Sequence, residues 1–202
     1  MRVFVDWDGT ITVQDSLVQV IHEYGDPALL AELAPRVGVD LTLHEEIALE
    51  IAAITAPLDE VVAWVLANVE VRPGLSALAE LRPVVVSAGF HELIEPVLRR
   101  ERIELEVLAN HVDARPDGWR VRFRDEAICA SCGEPCKRAG VAGSAYVYVG
   151  DGYSDRCAAL RANRVFARDA LARHLHELGV AYEPFEDFED VATLLRGTPP
   201  TL

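Results

Sequence analysis

Three short runs of the sequence decide most of what this chain can fold into. Val3–Val5, Val84–Val86 and Tyr146–Val149 are continuous and apolar, rich in β-branched or aromatic residues, and each stops at a polar or glycine position. Unbroken apolar strands belong to parallel sheets covered on both faces. Helical patterns lie between and after them, over Glu92–Arg100, Arg138–Ala142 and Asp155–Ala162. A further run, Val165–Ala167, precedes a helical stretch from Asp169 to Leu178 that Gly179 closes. Strands alternating with helices predict βαβ units, hence an α/β fold with a Rossmann-like parallel sheet. Ligands of such sheets sit beyond the carboxyl ends of the strands. Those ends here carry Asp6 and Asp8, Ser87, and Asp151.

Between the first two strands the pattern changes. Asp15 or Ser16 can cap a helix through Tyr24, with Gly25 as its stop. Thr42 and Glu45 have capping-box spacing, and Leu43, Ile47, Ile51 and Ile54 follow at helical intervals, with Glu46 and Glu50 between them. Leu58–Val69 repeats the pattern, and Pro73-Gly74 marks the return to the sheet. The expectation is a small helical domain over residues 14–72, inserted into a discontinuous core of residues 1–13 and 73–202. Leu105–Asp125 reads as two extended pieces around the Arg115-Pro116-Asp117-Gly118 turn, and Gly197–Leu202 as a frayed tail. Half of the 202 residues are hydrophobic, so a sizeable core is available.

The net charge of -14 argues against nucleic acid or an anionic membrane as partner, since both reward clustered Lys and Arg. No apolar run approaches the length of a membrane span. Met1 and Arg2 lead straight into a strand pattern without the basic, apolar and small-residue order of a signal peptide, so a cytoplasmic protein is expected. Four cysteines in a chain this long do not make a disulfide scaffold.

The sequence Asp6-Trp7-Asp8-Gly9-Thr10 places two carboxylates one residue apart at the end of a buried strand. An ordinary Asx or glycine turn has the same look. The functional alternative is that both carboxylates serve one divalent cation, because alternate residues of an extended segment share a side. Mg²⁺ takes a few carboxylates, carbonyl oxygens and phosphate oxygens, and it cancels the repulsion between the acids. Ser87 adds a hydroxyl, followed by small residues whose amides can face an anion, and Gly150-Asp151-Gly152-Tyr153-Ser154-Asp155 adds a second acidic pair. Lys137 lies between them in the chain. Acids, a hydroxyl and a lysine at converging strand ends form a set suited to phosphoryl transfer.

In order and spacing, Asp6-Trp7-Asp8-Gly9-Thr10, Ser87, Lys137 and the Gly150–Asp155 segment resemble the four motifs of the haloacid dehalogenase superfamily. The resemblance is strongest to the branch of phosphoserine phosphatase and the MtnX-like phosphatases of methionine salvage, whose helical cap follows the first motif. It covers essentially the whole chain. It implies a Mg²⁺-dependent phosphomonoester hydrolase for a small phosphorylated metabolite, a keto-enol or sugar-like phosphate being preferred. Asp6 is then the nucleophile that becomes an aspartyl phosphate, and Asp8 the group that protonates the leaving alcohol and later activates water. Asp6, the main-chain carbonyl of Asp8, and Asp151 hold the metal, while Asp155 supports the metal shell or orients Lys137. Ser87, Gly89 and Lys137 hold the phosphate.

Other residues carry open readings. Asp15 lies where the phosphoserine enzymes place an acidic residue near the cap, but the Thr42–Ile54 helix has no arginine for a substrate carboxylate. Phosphoserine is therefore the alternative substrate. Phe90 and His91 follow the Ser87 loop and either touch substrate or start the next helix. A phospho-accepting receiver module is the alternative from another class. It puts adjacent acids after its first strand and its phosphorylated aspartate after the third, and it lacks a helical insert. Cys129, Cys132 and Cys136 form C-x2-C-x3-C directly before Lys137, and Cys157 is available as a fourth thiolate. A structural Zn²⁺ site and ordinary loop thiols both fit that pattern.

Overall fold

The computed structural model describes residues 1–141 and 145–197. Among them, seven strands form one sheet: β1 Arg2–Val5, β2 Val84–Phe90, β3 Glu106–Asp113, β4 Arg120–Arg122, β5 Tyr146–Gly150, β6 Arg164–Ala167 and β7 Glu183–Pro184. Their order across the sheet is β4-β3-β2-β1-β5-β6-β7, and only β4 runs antiparallel. β1 sits at the centre, with Phe4 opposite Val84 on one side and Tyr148 on the other. The chain leaves β1 toward β2 and β3, then returns to the opposite side for β5 and β6. That reversal makes the carboxyl end of β1 the topological switch point, where a crevice opens for a ligand.

The alternation of side chains along β1 builds two cores. Val3 and Val5 face one side with Val85, Val147 and Val149, while Phe4 faces the other with Val84, Val86, Tyr146 and Tyr148. Nine α-helices are present among the described residues: α1 Ser16–Tyr24, α2 Pro27–Leu33, α3 Leu43–Ala52, α4 Leu58–Asn68, α5 Leu75–Ala79, α6 His91–Arg100, α7 Arg156–Ala159, α8 Asp169–Glu177 and α9 Phe188–Gly197. Ala158 and Ala159 of α7 and Leu171 and Leu175 of α8 close the second core. The first core continues without a break into the inserted helices, through Val20, Ile47, Ile51, Ile54, Val61 and Val65.

Local chemistry sets the insert's helices. Asp15 caps α1 by accepting from the Val18 amide, and Asp26 caps α2 by accepting from the Ala28 amide. Thr42 and Glu45 cap α3 reciprocally, as their spacing predicts. The insert joins the core through a short two-stranded neck, in which Thr12 bridges Val71 and the Val13 amide donates to the Glu70 carbonyl.

Some elements differ from expectation. β2 runs on past Ser87 to Phe90, its pairing with β3 slipping between Val86 and Phe90. The helix expected over Arg138–Ala142 is a tight 3₁₀ turn, Lys137–Gly140, and Ala142 lies outside the described residues. The helix expected over Asp155–Ala162 is a 3₁₀ turn, Tyr153–Asp155, leading into the short α7, because the chain must turn at Asn163 to enter β6. Residues 198–202 of the expected frayed tail also lie outside the described residues, while Gly197 ends α9. No helix of the described residues is long and apolar enough to cross a membrane.

Candidate active site

The site grows from the end of β1. The Asp6 carboxylate accepts from the Trp7 amide at 2.6 Å, and Trp7 is buried beneath it. Trp7–Ile11 then winds through one wide turn, which Gly9 makes possible at φ +71°. A side chain on Gly9 would also strike Asp151, whose Oδ2 is 2.4 Å from where a Cβ would stand. Thr10 donates to Asp151 Oδ1 at 2.6 Å, tying the first strand's turn to the end of β5. Arg72, at the exit of the insert, is buried and donates to the carbonyls of Gly9 and Thr10 at 2.9 and 2.8 Å. This guanidinium reaches both carbonyls together, so the turn after Asp8 is held from the neck.

Asp8 is held by one oxygen. Its Oδ1 accepts from the Ser16 amide at 3.0 Å, the Ser16 hydroxyl and the Leu17 amide. Its Oδ2 faces Gly89, where a Cβ would stand 3.0 Å away and 3.2 Å from Ser87 Oγ. Glycine at 89 thus keeps open the space between the free Asp8 oxygen and the Ser87 hydroxyl. Burial, then the charge of Asp15, pushes the Asp8 carboxyl up to about 7.

Lys137 is buried and touches both Asp6 Oδ1 and Asp155 Oδ1, the latter at 2.8 Å. The charges of Asp155 and Asp6 overcome burial and hold its ammonium well above its ordinary range. Asp155 accepts from Lys137 and the Tyr148 hydroxyl through Oδ1, and from the Asp151 and Gly152 amides through Oδ2. Burial works against its charge, but Lys137 and these donors hold its carboxyl below the usual range. Asp6 is raised well above the usual range by burial and by the Asp155 charge, with Lys137 opposing. Asp151 is pushed up to about 6 by burial and the same neighbour.

The carboxylates of Asp6, Asp151 and Asp155 offer oxygens within 4.8 Å of one another. Hard oxygen donors around a charge-deficient centre fit Mg²⁺. Both oxygens of Asp155 are already engaged by four donors, whereas Asp6 and Asp151 keep oxygen capacity toward the opening. Asp6 and Asp151 fit as direct ligands, and Asp155 as the residue that positions Lys137 and the Asp151 backbone.

A cavity of about 260 Å³ opens above these groups. Asp6, Asp8, Gly89, Lys137 and Asp151 form its floor, and Asp15, Leu17, Ile21, Leu43, Glu46 and Glu50 from the insert form its roof. Ser87 lies just behind Gly89, its hydroxyl accepting from the Gly89 amide at 2.8 Å. Phe90 and His91 do not reach this cavity. With β2 extended to Phe90, that ring turns into the core and is fully buried. His91 opens α6 on the outer surface, where it stacks on His111 at 4.5 Å and bonds Glu95. Neither Phe90 nor His91 lines this cavity, and His91 starts the next helix, the second of its two open readings.

Glu46, Glu50 and Arg72 escaped the sequence reading as site residues. The two glutamates fell among the polar positions of an amphipathic helix. Glu50 nonetheless carries a local signal, since in α3 it lies a turn beyond Ile47 on the face that packs inward. It is buried, its Oε1 has no hydrogen-bond partner among the described residues, and burial with the charges of Glu46 and Asp15 pushes its carboxyl up to about 8.

A doubly wound α/β core with a lysine-bridged acidic centre at its switch point, roofed by an inserted set of helices, defines the class of this protein as an α/β enzyme. The profile of the haloacid dehalogenase-like hydrolases matches residues 3–160, and the chain belongs to that family. A 2-hydroxy-3-keto-5-methylthiopentenyl-1-phosphate phosphatase of Bacillus thuringiensis subsp. konkukian is 26% identical, over 97% of this chain and 96% of its own. Among solved structures, a substrate-bound phosphoserine phosphatase matches with a TM-score of 0.71 at 14% identity, covering 95% of this chain and 96% of its own. A family hydrolase of Salmonella enterica subsp. enterica serovar Typhi matches with a TM-score of 0.73 at 14% identity, covering 98% of this chain and 72% of its own. At these identities the likeness to the two solved structures is one of fold.

Proposed function

We propose that the chain hydrolyses small phosphomonoesters through an aspartyl phosphate on Asp6. The observation that carries this reading is the cavity floor itself, where Asp6, the free Oδ2 of Asp8 and the Lys137 ammonium converge. Asp6 Oδ attacks phosphorus while Asp8 gives its proton to the departing alkoxide. Water then attacks the aspartyl phosphate, Asp8 takes the water's proton, and phosphate leaves Asp6 free. Lys137 and the Ser87 hydroxyl hold the phosphate oxygens, in the space that Gly89 leaves open. Asp6, Asp151 and the Asp8 carbonyl would hold Mg²⁺, which would supply charge neutralisation at the phosphoryl group. Residues 14–72 act as the cap that confines the substrate and excludes water.

The roof supports a substrate with hydroxyl and carbonyl groups and an apolar tail. Asp15, Glu46 and Glu50 line it, and no arginine does. A carboxylate would meet three acids there without a cation. The Glu50 carboxyl, held protonated near neutral pH, offers a hydrogen bond to a hydroxyl or keto oxygen, and Leu17, Ile21, Leu30 and Ala34 offer an apolar wall. The name of the Bacillus relative, a hydroxy-keto phosphate with a methylthio end, agrees with such a roof. Phosphoserine is the second reading, favoured by Asp15 at the cavity rim, which suits an ammonium group.

The test is a screen of phosphorylated metabolites with Mg²⁺ present, run beside Asp6→Asn. Hydroxy-keto phosphates are expected to outrun phosphoserine by at least about tenfold in kcat/KM, the reach of a few polar contacts. The Asn variant is expected to keep its fold and lose turnover, because an amide cannot attack phosphorus. Phosphoserine as the better substrate would reverse the substrate reading, and Mg²⁺-dependent turnover by the variant would reverse the mechanism.

A further inference from the structure

A second cluster lies behind the Lys137 loop. One sulphur from each of Cys129, Cys132, Cys136 and Cys157 stands within 4.8 Å of the other three. The first three come from one tight loop and the fourth from α7 on the far side of β5, so the sulphurs close around a point from two separate segments. Four Zn–S bonds of ~2.3 Å in a tetrahedron separate the sulphurs by about 3.8 Å. The cluster therefore needs to contract by at most about an ångström to form that shell. All four are free thiols, each with its sulphur within reach of the other three.

The surroundings suit thiolates. The Ser131 amide donates to Cys129 Sγ at 3.4 Å, and Arg138 Nη1 lies 4.0 Å from the same sulphur. The loop folds back on itself, with the Gly133 amide donating to the Cys129 carbonyl at 2.9 Å and the Cys129 amide donating to the Glu134 carbonyl at 3.0 Å. Amide and guanidinium donors offset the net negative charge of an ion held by four thiolates. Cys136 immediately precedes Lys137, and Cys157 follows Asp155 by two residues. Between them, Glu134 accepts from the Tyr153 hydroxyl and from the Leu43 amide of the cap helix α3, both at 3.0 Å.

We propose that Cys129, Cys132, Cys136 and Cys157 bind one Zn²⁺ as a closed, structural site that fastens the Lys137 loop to the Asp151–Asp155 segment. With four thiolates the shell is complete and leaves no position for substrate or water. The ion works at a distance, by holding Lys137 and Asp155 in register and by anchoring the Glu134 contact to the cap. It is separate from the Mg²⁺ site in donor chemistry, thiolate against carboxylate.

Metal analysis after purification without added zinc and dialysis against EDTA is the first test. About one equivalent of zinc per chain is expected to remain, and less than about half an equivalent overturns the site. Titration of the reduced, metal-stripped chain with Co²⁺ is expected to give thiolate-to-cobalt charge transfer and the visible bands of tetrahedral cobalt, saturating at one equivalent. An octahedral spectrum, or none, overturns it. Cys132→Ala is expected to lose the ion and Cys132→His to keep it, since imidazole substitutes for one thiolate in such shells. Equal zinc in parent and Ala variant overturns the assignment of Cys132. These readings concern metal stoichiometry and spectrum, so they stand whatever substrate the enzyme turns over.

Discussion

At the scale of single residues, the two carboxylates of the first motif have different surroundings and different work. Asp6 is buried against Lys137, while Asp8 is held by Oδ1 and turns Oδ2 to the cavity. A general acid that gives up a proton to the leaving group matters most when that group leaves badly. Asp8→Asn is therefore expected to slow alkyl phosphate hydrolysis by about 10²–10⁴-fold and aryl phosphate hydrolysis distinctly less. Steady-state rates on one substrate of each kind decide it, and equal losses would assign Asp8 to structure alone. Glu50 gives a prediction in pH. Its folded carboxyl titrates near 8 against an ordinary 4.5, so the folded state binds the proton more tightly. Below about 4.5 both states are protonated and Glu50 is neutral to stability. Stability then falls as pH rises from there through 8, because the unfolded state ionises while the folded carboxyl, buried beside Glu46 and Asp15, keeps its proton. Glu50→Gln is expected to recover on the order of 1–2 kcal/mol at pH 8.5 and almost nothing at pH 4.5, since cavity water screens part of the full shift. Denaturant melts of parent and variant in EDTA at both pH values measure it. A constant difference at both would show that folding does not shift the carboxyl's titration.

At the scale of elements, the site depends on segments that come from far apart in the chain. Arg72 closes the neck of the insert and holds the turn after Asp8 through the Gly9 and Thr10 carbonyls, with a further contact to the Glu186 carbonyl. A lysine there has the charge without the planar fork, so buried carbonyls lose their donors. Arg72→Lys is expected to cost about 2–3 kcal/mol and to lower kcat as Asp8 shifts from the phosphate. Denaturant unfolding and kcat measured together test it, and a stable variant with full kcat would detach the neck from the site. Much of this was legible beforehand. The apolar runs of β1, β2 and β5 and the polar residue after each fixed the sheet and its ligand end. Capping chemistry at Asp15, Thr42 and Glu45 fixed two helices of the insert. The stretch 27–36 was not legible, because a seven-residue helix shows too little periodicity. Arg72 was not legible either. Its partners are main-chain carbonyls, which leave no mark on sequence pattern. For Phe90 and His91 the sequence left two readings open, and the choice between them was not legible because β2 runs on from Val86 to Phe90 beyond its apolar run.

At the scale of the whole molecule, the insert is fastened to the core at several places, two of them far apart. One is the neck at Thr12 and Val71. The other is the arm formed by β3 and β4, whose Trp119 is fully buried under the insert. Its amide donates to the Ile54 carbonyl and its indole N–H to the Ala56 carbonyl, each at 2.9 Å. Gly118 beside it, at φ +114°, passes so close that a Cβ would stand 2.3 Å from the Ala52 carbonyl oxygen. The first hydrophobic core runs through this contact, so roof and floor of the cavity share one packed interior. On the proposed function, a roof held in this way is expected to favour small phosphates over a protein-borne phosphoryl group. Truncation of Trp119 tests this coupling. Trp119→Ala removes a buried indole and is expected to cost about 3–5 kcal/mol, while Trp119→Phe keeps most of the packing and loses one hydrogen bond, about 1 kcal/mol. If the arm sets the roof, the Ala variant at a temperature where it is still folded should show a raised KM for a small phosphate, while kcat falls less, because Asp6, Asp8 and Lys137 are untouched. It should also gain activity on bulkier phosphoesters relative to small ones. A variant that loses stability but keeps the parent's KM and size preference would place the roof under the control of the neck alone.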